Sequence, residues 1–204
     1  MHIAIAGNIG SGKTSLAGML AKHYEWEPHY ENVDANPYLE DFYNDMKAWS
    51  FNVQIFFLRQ RLKQIMSIRT SGKNVVQDRT LYEDAYIFAP NLHEMDLMTT
   101  RDFETYFSLF QQVEQLIQAP DLLIYLKSSV PNLVKRIQSK GREYENAIRL
   151  DYLEHLNRRY DVWVQSYELG KILVIDTDKI NFIDEAEDFS KIVEKIDAEL
   201  FGLF

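Results

Sequence analysis

Short apolar runs alternate along the chain with longer stretches whose apolar residues recur every three to four positions. The runs Ile3-Ala4-Ile5-Ala6, Val75-Val76, Leu122-Leu123-Ile124-Tyr125-Leu126 and Ile172-Leu173-Val174-Ile175 predict strands. Leu122 to Leu126 is apolar throughout, as expected of a parallel strand covered on both faces. A weaker strand is predicted around His29-Tyr30, leading to Glu31 and the turn-rich Asn32-Val33-Asp34-Ala35-Asn36-Pro37. Helical periodicity predicts helices from about Gly12 to His23-Tyr24, Trp49 to Met66, Thr80 to Phe88, Thr99 to Gln118, Ile148 to Tyr167 and Glu185 to Phe201, with another opening near Pro131. Strands that alternate with helices predict an α/β fold, a parallel sheet of about five strands flanked by helices. No internal repeat, linker or low-complexity tract interrupts the pattern, so residues 1–204 are expected to form a single domain.

One helix carries more than a simple core stripe. Trp49 to Met66 has too many apolar positions for one buried face, which predicts cover on more than one side and, from Phe51 to Met66, a homodimer surface. Gln54 and Arg61 stand two turns apart in it and share a face. The structural alternatives are a capping or surface amide for Gln54 and an ordinary salt bridge for Arg61. Elsewhere the stripes are core: Phe103, Phe107, Phe110, Val113 and Ile117 on one helix, Tyr152, Leu156, Tyr160, Trp163 and Tyr167 on another. Thr99 and Asp102 form a capping-box pattern at the start of the first.

Candidate chemistry begins where the first strand ends. Gly7-Asn8-Ile9-Gly10-Ser11-Gly12-Lys13-Thr14 fits G-x-x-x-x-G-K-[ST], the strand-to-helix loop that cradles phosphates. Its glycines let backbone N–H groups turn inward around an anion, Lys13 reaches outer phosphates, and the Thr14 hydroxyl suits a magnesium ion. The helix that follows adds its positive dipole end. Asp78-Arg79 closes the Val75-Val76 strand and looks like a second nucleotide signature, an acid reaching the magnesium shell. Glu31 stands where a strand stops, at the mouth of the sheet, although a lone Glu there also suits a solvated surface. Lys135, Arg136, Lys140 and Arg142 cluster within eight residues, either as a phosphate-binding lid or as a solvated helix end whose cations suit the dipole.

Composition narrows the partners. A net charge of −9 argues against nucleic acid or an anionic membrane, both of which need a broad basic surface. The chain has no cysteine, which removes disulfides, thiolate metal sites and a cysteine nucleophile. There is no signal-peptide pattern and no apolar run of membrane-spanning length, so a cytoplasmic location is expected.

In order and spacing these features resemble the deoxynucleoside kinase family, above all its bacterial deoxyadenosine and deoxyguanosine kinases. The markers are the loop Gly7 to Thr14, a Glu followed by Asn36-Pro37-Tyr38, Trp49-Ser50-Phe51-x-x-Gln54, Asp78-Arg79-Thr80 with Tyr82-x-Asp84 and Tyr86-Ile87-Phe88-Ala89, and Arg136-x-x-x-Lys140-Gly141-Arg142. The resemblance implies Mg-ATP as donor, a P-loop kinase fold with a short basic lid over about 136–147, and a homodimer. It implies Glu31 as general base toward a deoxynucleoside 5′-hydroxyl with Arg79 beside it, and Tyr43 and Glu145 on the 3′-hydroxyl. Gln54 would meet the base edge with Arg61 and Asp84, and Phe88 would stack on the ring. Lys13, Arg136, Lys140 and Arg142 would hold donor phosphates, Thr14 and Asp78 the magnesium, and Asp178 to Phe182 would lie near the donor adenine. Asp78, Lys140 and Ala85 replace Glu, Arg and Arg of some relatives, the last bearing on base choice.

The expected reaction is 5′-phosphorylation of a deoxynucleoside, with deoxyadenosine preferred and deoxyguanosine or a broader range as the alternative. Gln offers a donor and an acceptor in one plane, which matches adenine N1 and its amine, and a flipped amide meets guanine. More distant are a thymidylate-type monophosphate kinase, whose acceptor phosphate Glu31 would repel, and a nucleotide switch, although no Asn-Lys-x-Asp guanine reader is present.

Overall fold

The computed structural model describes residues 1–141 and 147–202, so the expectations for Arg142 and Glu145 lie outside the described residues. Five parallel strands form one sheet in the order β2-β3-β1-β4-β5: β1 (His2–Gly7), β2 (Glu27–His29), β3 (Val75–Asp78), β4 (Leu122–Lys127) and β5 (Lys171–Asp176). The strand order changes direction at β1, and ligands of open parallel sheets sit beyond the carboxyl ends of the strands at such a point.

The side-chain alternation of β1 divides the core in two. Ile3 and Ile5 face α1 (Lys13–Tyr24) and α9 (Ala186–Phe201), meeting Leu16, Leu20, Ile192 and Ile196. Ala4 and Ala6 face the opposite way, and their small side chains leave space for Leu81, Phe110 and Tyr160. On β4, Leu122, Leu123, Ile124 and Leu126 are buried, each stabilising the fold by about 1.5–3 kcal/mol.

The helix expected over 49–66 is longer, α3 (Met46–Ser71), because Asp45 caps its start by accepting from Ala48 N at 3.1 Å and Gly72 ends it in a left-handed conformation. β2 lies slightly earlier than the sequence suggested, and α6 (Thr100–Glu114) stops before Gln118. The helix expected over 80–88 continues to residue 94 in three parts: α4 (Leu81–Glu83), a π-helical turn (Asp84–Phe88) and α5 (Ala89–Glu94). Pro90 accounts for the wide turn. It has no N–H to offer Tyr86, and its ring would strike that carbonyl in a regular helix. Past β4, Pro131 sits in the first turn of α7 (Val130–Lys140), and α8 (Leu150–Gln165) buries Tyr152, Leu156, Tyr160 and Trp163 as the periodicity predicts. Among the described residues, no helix is long and apolar enough to cross a membrane.

Candidate active site

The loop between β1 and α1 is built on backbone that only glycine adopts freely. Gly10 has φ 84° and Gly12 φ 98°. A Cβ on Gly10 would lie 2.9 Å from the Leu133 carbonyl oxygen, and one on Gly12 3.2 Å from the Phe182 ring. Asn8 turns its side chain away from the loop mouth: Nδ2 donates to Leu153 O and Asn157 Oδ1, both at 3.1 Å, while Oδ1 accepts from Ile9 N at 2.8 Å. The loop is thereby tied to α8.

Lys13 is buried and folds back to donate to Asn8 O at 2.9 Å. Burial and the neighbouring Arg79 cation push its ammonium down to about 7, against the pull of Asp78, Glu83 and Glu31. Thr14 Oγ1 donates to Asp78 Oδ2 at 2.6 Å. Asp78 Oδ1 is buried and without a hydrogen-bond partner among the described residues, and burial raises the carboxyl's pKa. A hydroxyl beside a carboxylate with a spare buried oxygen is the donor set that a hard cation such as magnesium takes. Register brings these groups together: Ile5 pairs with Asp78 across β1 and β3, and Arg79 N donates to Ile5 O at 2.9 Å.

Glu31 lies two residues past β2, between two guanidinium groups. Arg61 Nη2 donates to Oε1, and Arg79 Nε donates to Oε2 at 3.1 Å. Burial alone would raise this carboxyl, but Arg61, Arg79 and Lys13 outweigh it and hold it near pKa 2, so it stays ionised. Arg61 also donates through Nε to Asp84 Oδ2 at 3.3 Å. Burial raises Asp84 to about 7, opposed by Arg61 and Arg79.

Both halves open into one cleft, whose lining includes Gly10, Lys13, Thr14, Glu31, Tyr43, Gln54, Arg79, Asp84, Phe88 and Lys140. The π-helical turn places Asp84 and Phe88 in that lining together. Gln54 is 3% exposed and its Oε1 has no hydrogen-bond partner among the described residues, an arrangement that costs free energy unless a ligand donates to it. Arg61 stands one layer behind the lining, as an ion-pair partner of Glu31 and Asp84. Its neighbour Arg79 covers the Phe88 ring at 4.7 Å.

The remaining expected donor residues diverge. Lys140 reaches the cleft, while Arg136 donates to Thr177 O at 2.8 Å and Thr177 Oγ1 at 2.9 Å, with Ser11 O of the loop 3.5 Å from its Nη1. Asp178 caps the start of α7, accepting from Ser128 Oγ at 2.9 Å, Ser129 N at 3.0 Å and Asn132 Nδ2 at 2.8 Å. Those bonds lower its carboxyl to about 2 in spite of the opposing desolvation. Phe182 is buried with its ring over Gly12.

Sequence reasoning missed the layer beneath Arg79. Glu83 is fully buried, and its Oε2 accepts from Thr80 N at 2.7 Å while Thr80 Oγ1 accepts from Glu83 N at 3.4 Å. That is a capping box, and Thr80-x-x-Glu83 signals it in the sequence. Tyr160 reads as core from its periodicity and is core, but nothing in the periodicity tells that its hydroxyl reaches the phosphate loop.

Residues 3–201 match the family described as deoxynucleoside kinase. Over 196 residues the chain is 36% identical to the deoxyadenosine/deoxycytidine kinase of Bacillus subtilis (strain 168), covering 95% of this chain and 90% of that one. It is likewise 36% identical, over 207 residues, to the deoxyguanosine kinase of Lactobacillus johnsonii, covering 97% and 92%. The fold superposes on the deoxyadenosine kinase from M. mycoides with bound dATP at a TM-score of 0.86 and 30% identity, covering 97% of this chain and all of that one.

Proposed function

The chain belongs to the deoxynucleoside kinase family, and we propose that it transfers the terminal phosphoryl group of ATP to the 5′-hydroxyl of deoxyadenosine. The observation that carries this reading is a buried, ionised Glu31 in the same cleft as Lys13 and Gln54, whose Oε1 has no partner among the described residues. Phosphoryl transfer leaves the protein little covalent work, so positioning and charge neutralisation dominate. Glu31 accepts the hydroxyl proton as the new P–O bond forms, and Arg79 keeps that carboxylate oriented. Gln54 reads the Watson–Crick edge of the base, with Asp84 beside it and Arg61 behind, Phe88 stacks on the ring, and Tyr43 faces the sugar. Glu145, expected on the 3′-hydroxyl, completes the acceptor subsite.

The loop Gly7 to Thr14 presents the backbone N–H groups of Gly10, Gly12, Lys13 and Thr14 to the donor phosphates, and Lys13, Arg136, Lys140 and Arg142 hold them. Asp178 and Phe182 shape the donor side by holding α7 and covering Gly12. Thr14 and Asp78 hold magnesium, which supplies charge neutralisation for the phosphates. Residues 1–204 act as a single domain in the cytoplasm, as a homodimer through α3.

Deoxyadenosine is favoured because adenine presents an acceptor and an amine donor side by side, the complement of a Gln amide. The same amide turned over meets guanine, so base choice is read by experiment. Pure protein with Mg-ATP and each deoxynucleoside in turn is expected to yield dAMP fastest. Faster dGMP formation would replace the base assignment, monophosphate acceptors that outperform nucleosides would replace the class, and no product from any nucleoside would end the proposal.

A further inference from the structure

Beneath the cleft lies a polar knot that the reaction as described does not use. Glu83 Oε1 accepts from Gly7 N at 3.1 Å, from Arg79 Nη1 at 3.2 Å and from the Tyr160 hydroxyl at 2.8 Å. Its Oε2 accepts from Thr80 N at 2.7 Å and Thr80 Oγ1 at 3.2 Å. Tyr160 also lies 2.9 Å from Gly7 O and accepts from Arg79 Nη1 at 2.9 Å. A phenol carries one proton, so Gly7 O and Glu83 Oε1 share a single donor. Both polar groups of the first phosphate-loop residue therefore end on the two side chains that hold Arg79 from behind.

Arg79 is a fitting relay. It has φ 67°, a left-handed conformation that a side chain adopts only when its surroundings hold it there. Its guanidinium is divided between two carboxylates, Nε on Glu31 in the cleft and Nη1 on Glu83 below. Any shift of Gly7 moves acceptors of Nη1, and the same rigid fork presents Nε to Glu31. Bonds inside such a dry network strengthen one another, and a half-satisfied network is costly, so its members move together.

Resting on the kinase reading above, we propose that Glu83 and Tyr160 are positioning residues that couple the donor half of the site to the acceptor half. They make occupancy of the phosphate loop felt at Glu31 through Arg79. Coupling of this kind is reciprocal, so it appears as a change in nucleoside affinity when the donor subsite is filled.

The test compares deoxyadenosine Kd with and without a non-hydrolysable ATP analogue, alongside kcat and thermal melting, for the wild type, Tyr160→Phe and Glu83→Gln. Tyr160→Phe keeps the ring that stacks on Tyr125 at 5.6 Å and removes only the hydroxyl. The wild type is expected to bind the nucleoside at least about fivefold more tightly with the analogue present. Tyr160→Phe is expected to bring that ratio toward one, to raise the KM for deoxyadenosine at saturating ATP about fivefold and to lower kcat about tenfold. Glu83→Gln turns an acceptor into a donor beside Thr80 N and is expected to do the same where it folds. A wild-type ratio of one, or a folded Tyr160→Phe enzyme that keeps both the ratio and kcat while only its melting temperature falls, overturns the proposal. Absence of product from the wild type overturns the kinase reading instead, so the two failures are distinct.

Discussion

At the scale of single residues, Lys13 makes the sharpest claim. Its ammonium is held down to about 7 by burial and by Arg79, which outweigh the opposing pull of Asp78, Glu83 and Glu31. The folded chain therefore binds fewer protons than the unfolded chain between about pH 7 and 10.5, and this residue's contribution to stability rises across that window. A triphosphate reverses the balance by favouring the charged form. Nucleotide binding at pH 8 is accordingly expected to take up close to one proton, read as a dependence of calorimetric enthalpy on the buffer's ionisation heat. In Lys13→Arg the uptake is expected to vanish, because a guanidinium is already charged. Equal uptake in both would assign the proton elsewhere. Gln54 and Glu31 show how far such residues were legible in the sequence. Their places in a motif order mark them, but the ion pairs that make Glu31 an ionised group and Arg61 a backing residue come from chain segments 30 to 48 residues apart.

At the scale of elements, the glycine turns of the phosphate loop were legible, because their spacing encodes backbone angles. Gly10 stands against the Leu133 carbonyl, which cannot swing aside as a flexible side chain would. Gly10→Ala is expected to cost at least about 1–2 kcal/mol from the left-handed backbone alone, lowering the melting temperature by about 2–8 °C and raising the KM for ATP. A melting curve unchanged by the substitution would contradict the geometry. The helix caps were partly legible: Thr99 and Asp102 pair as their spacing implies, and Thr80 with Glu83 follows the same rule. The π-helical turn was not. Its cause is a single proline after the turn, and that signal in most helices means a kink or an end. Nor does the apolar period of α7 and α8 reveal which polar tip meets the loop, since Asn157 and Tyr160 act through their hydrogen-bonding atoms and their neighbours on the helix do not.

At the scale of the whole molecule, the alternation of strands and helices sufficed for the parallel sheet, because connection length and burial leave few other arrangements. The surplus of apolar positions on α3 bears on assembly. Met66 is 50% exposed, and Leu109 and Leu116 on or just past α6 are 42% and 61% exposed. Arg69 reaches the Leu116 carbonyl, which ties the C-terminal half of α3 to the end of α6. A homodimer there is expected to bury on the order of 800 Å² per partner. Light scattering at micromolar concentration is expected to give twice the chain mass for the wild type and the monomer mass for Leu116→Glu. A monomeric wild type would remove this assembly from the proposal.

The mooring of Asn8 and Gly7 to α8 also dictates when the site comes into being. Asn8 bonds to Leu153 and Asn157, and Gly7 to Tyr160, partners that follow it by 145 to 153 residues. The phosphate loop leaves the ribosome well before these supports, which are synthesised about 150 residues later. A growing polypeptide thus carries the nucleotide motif long before it carries a nucleotide site. Competence waits on α8.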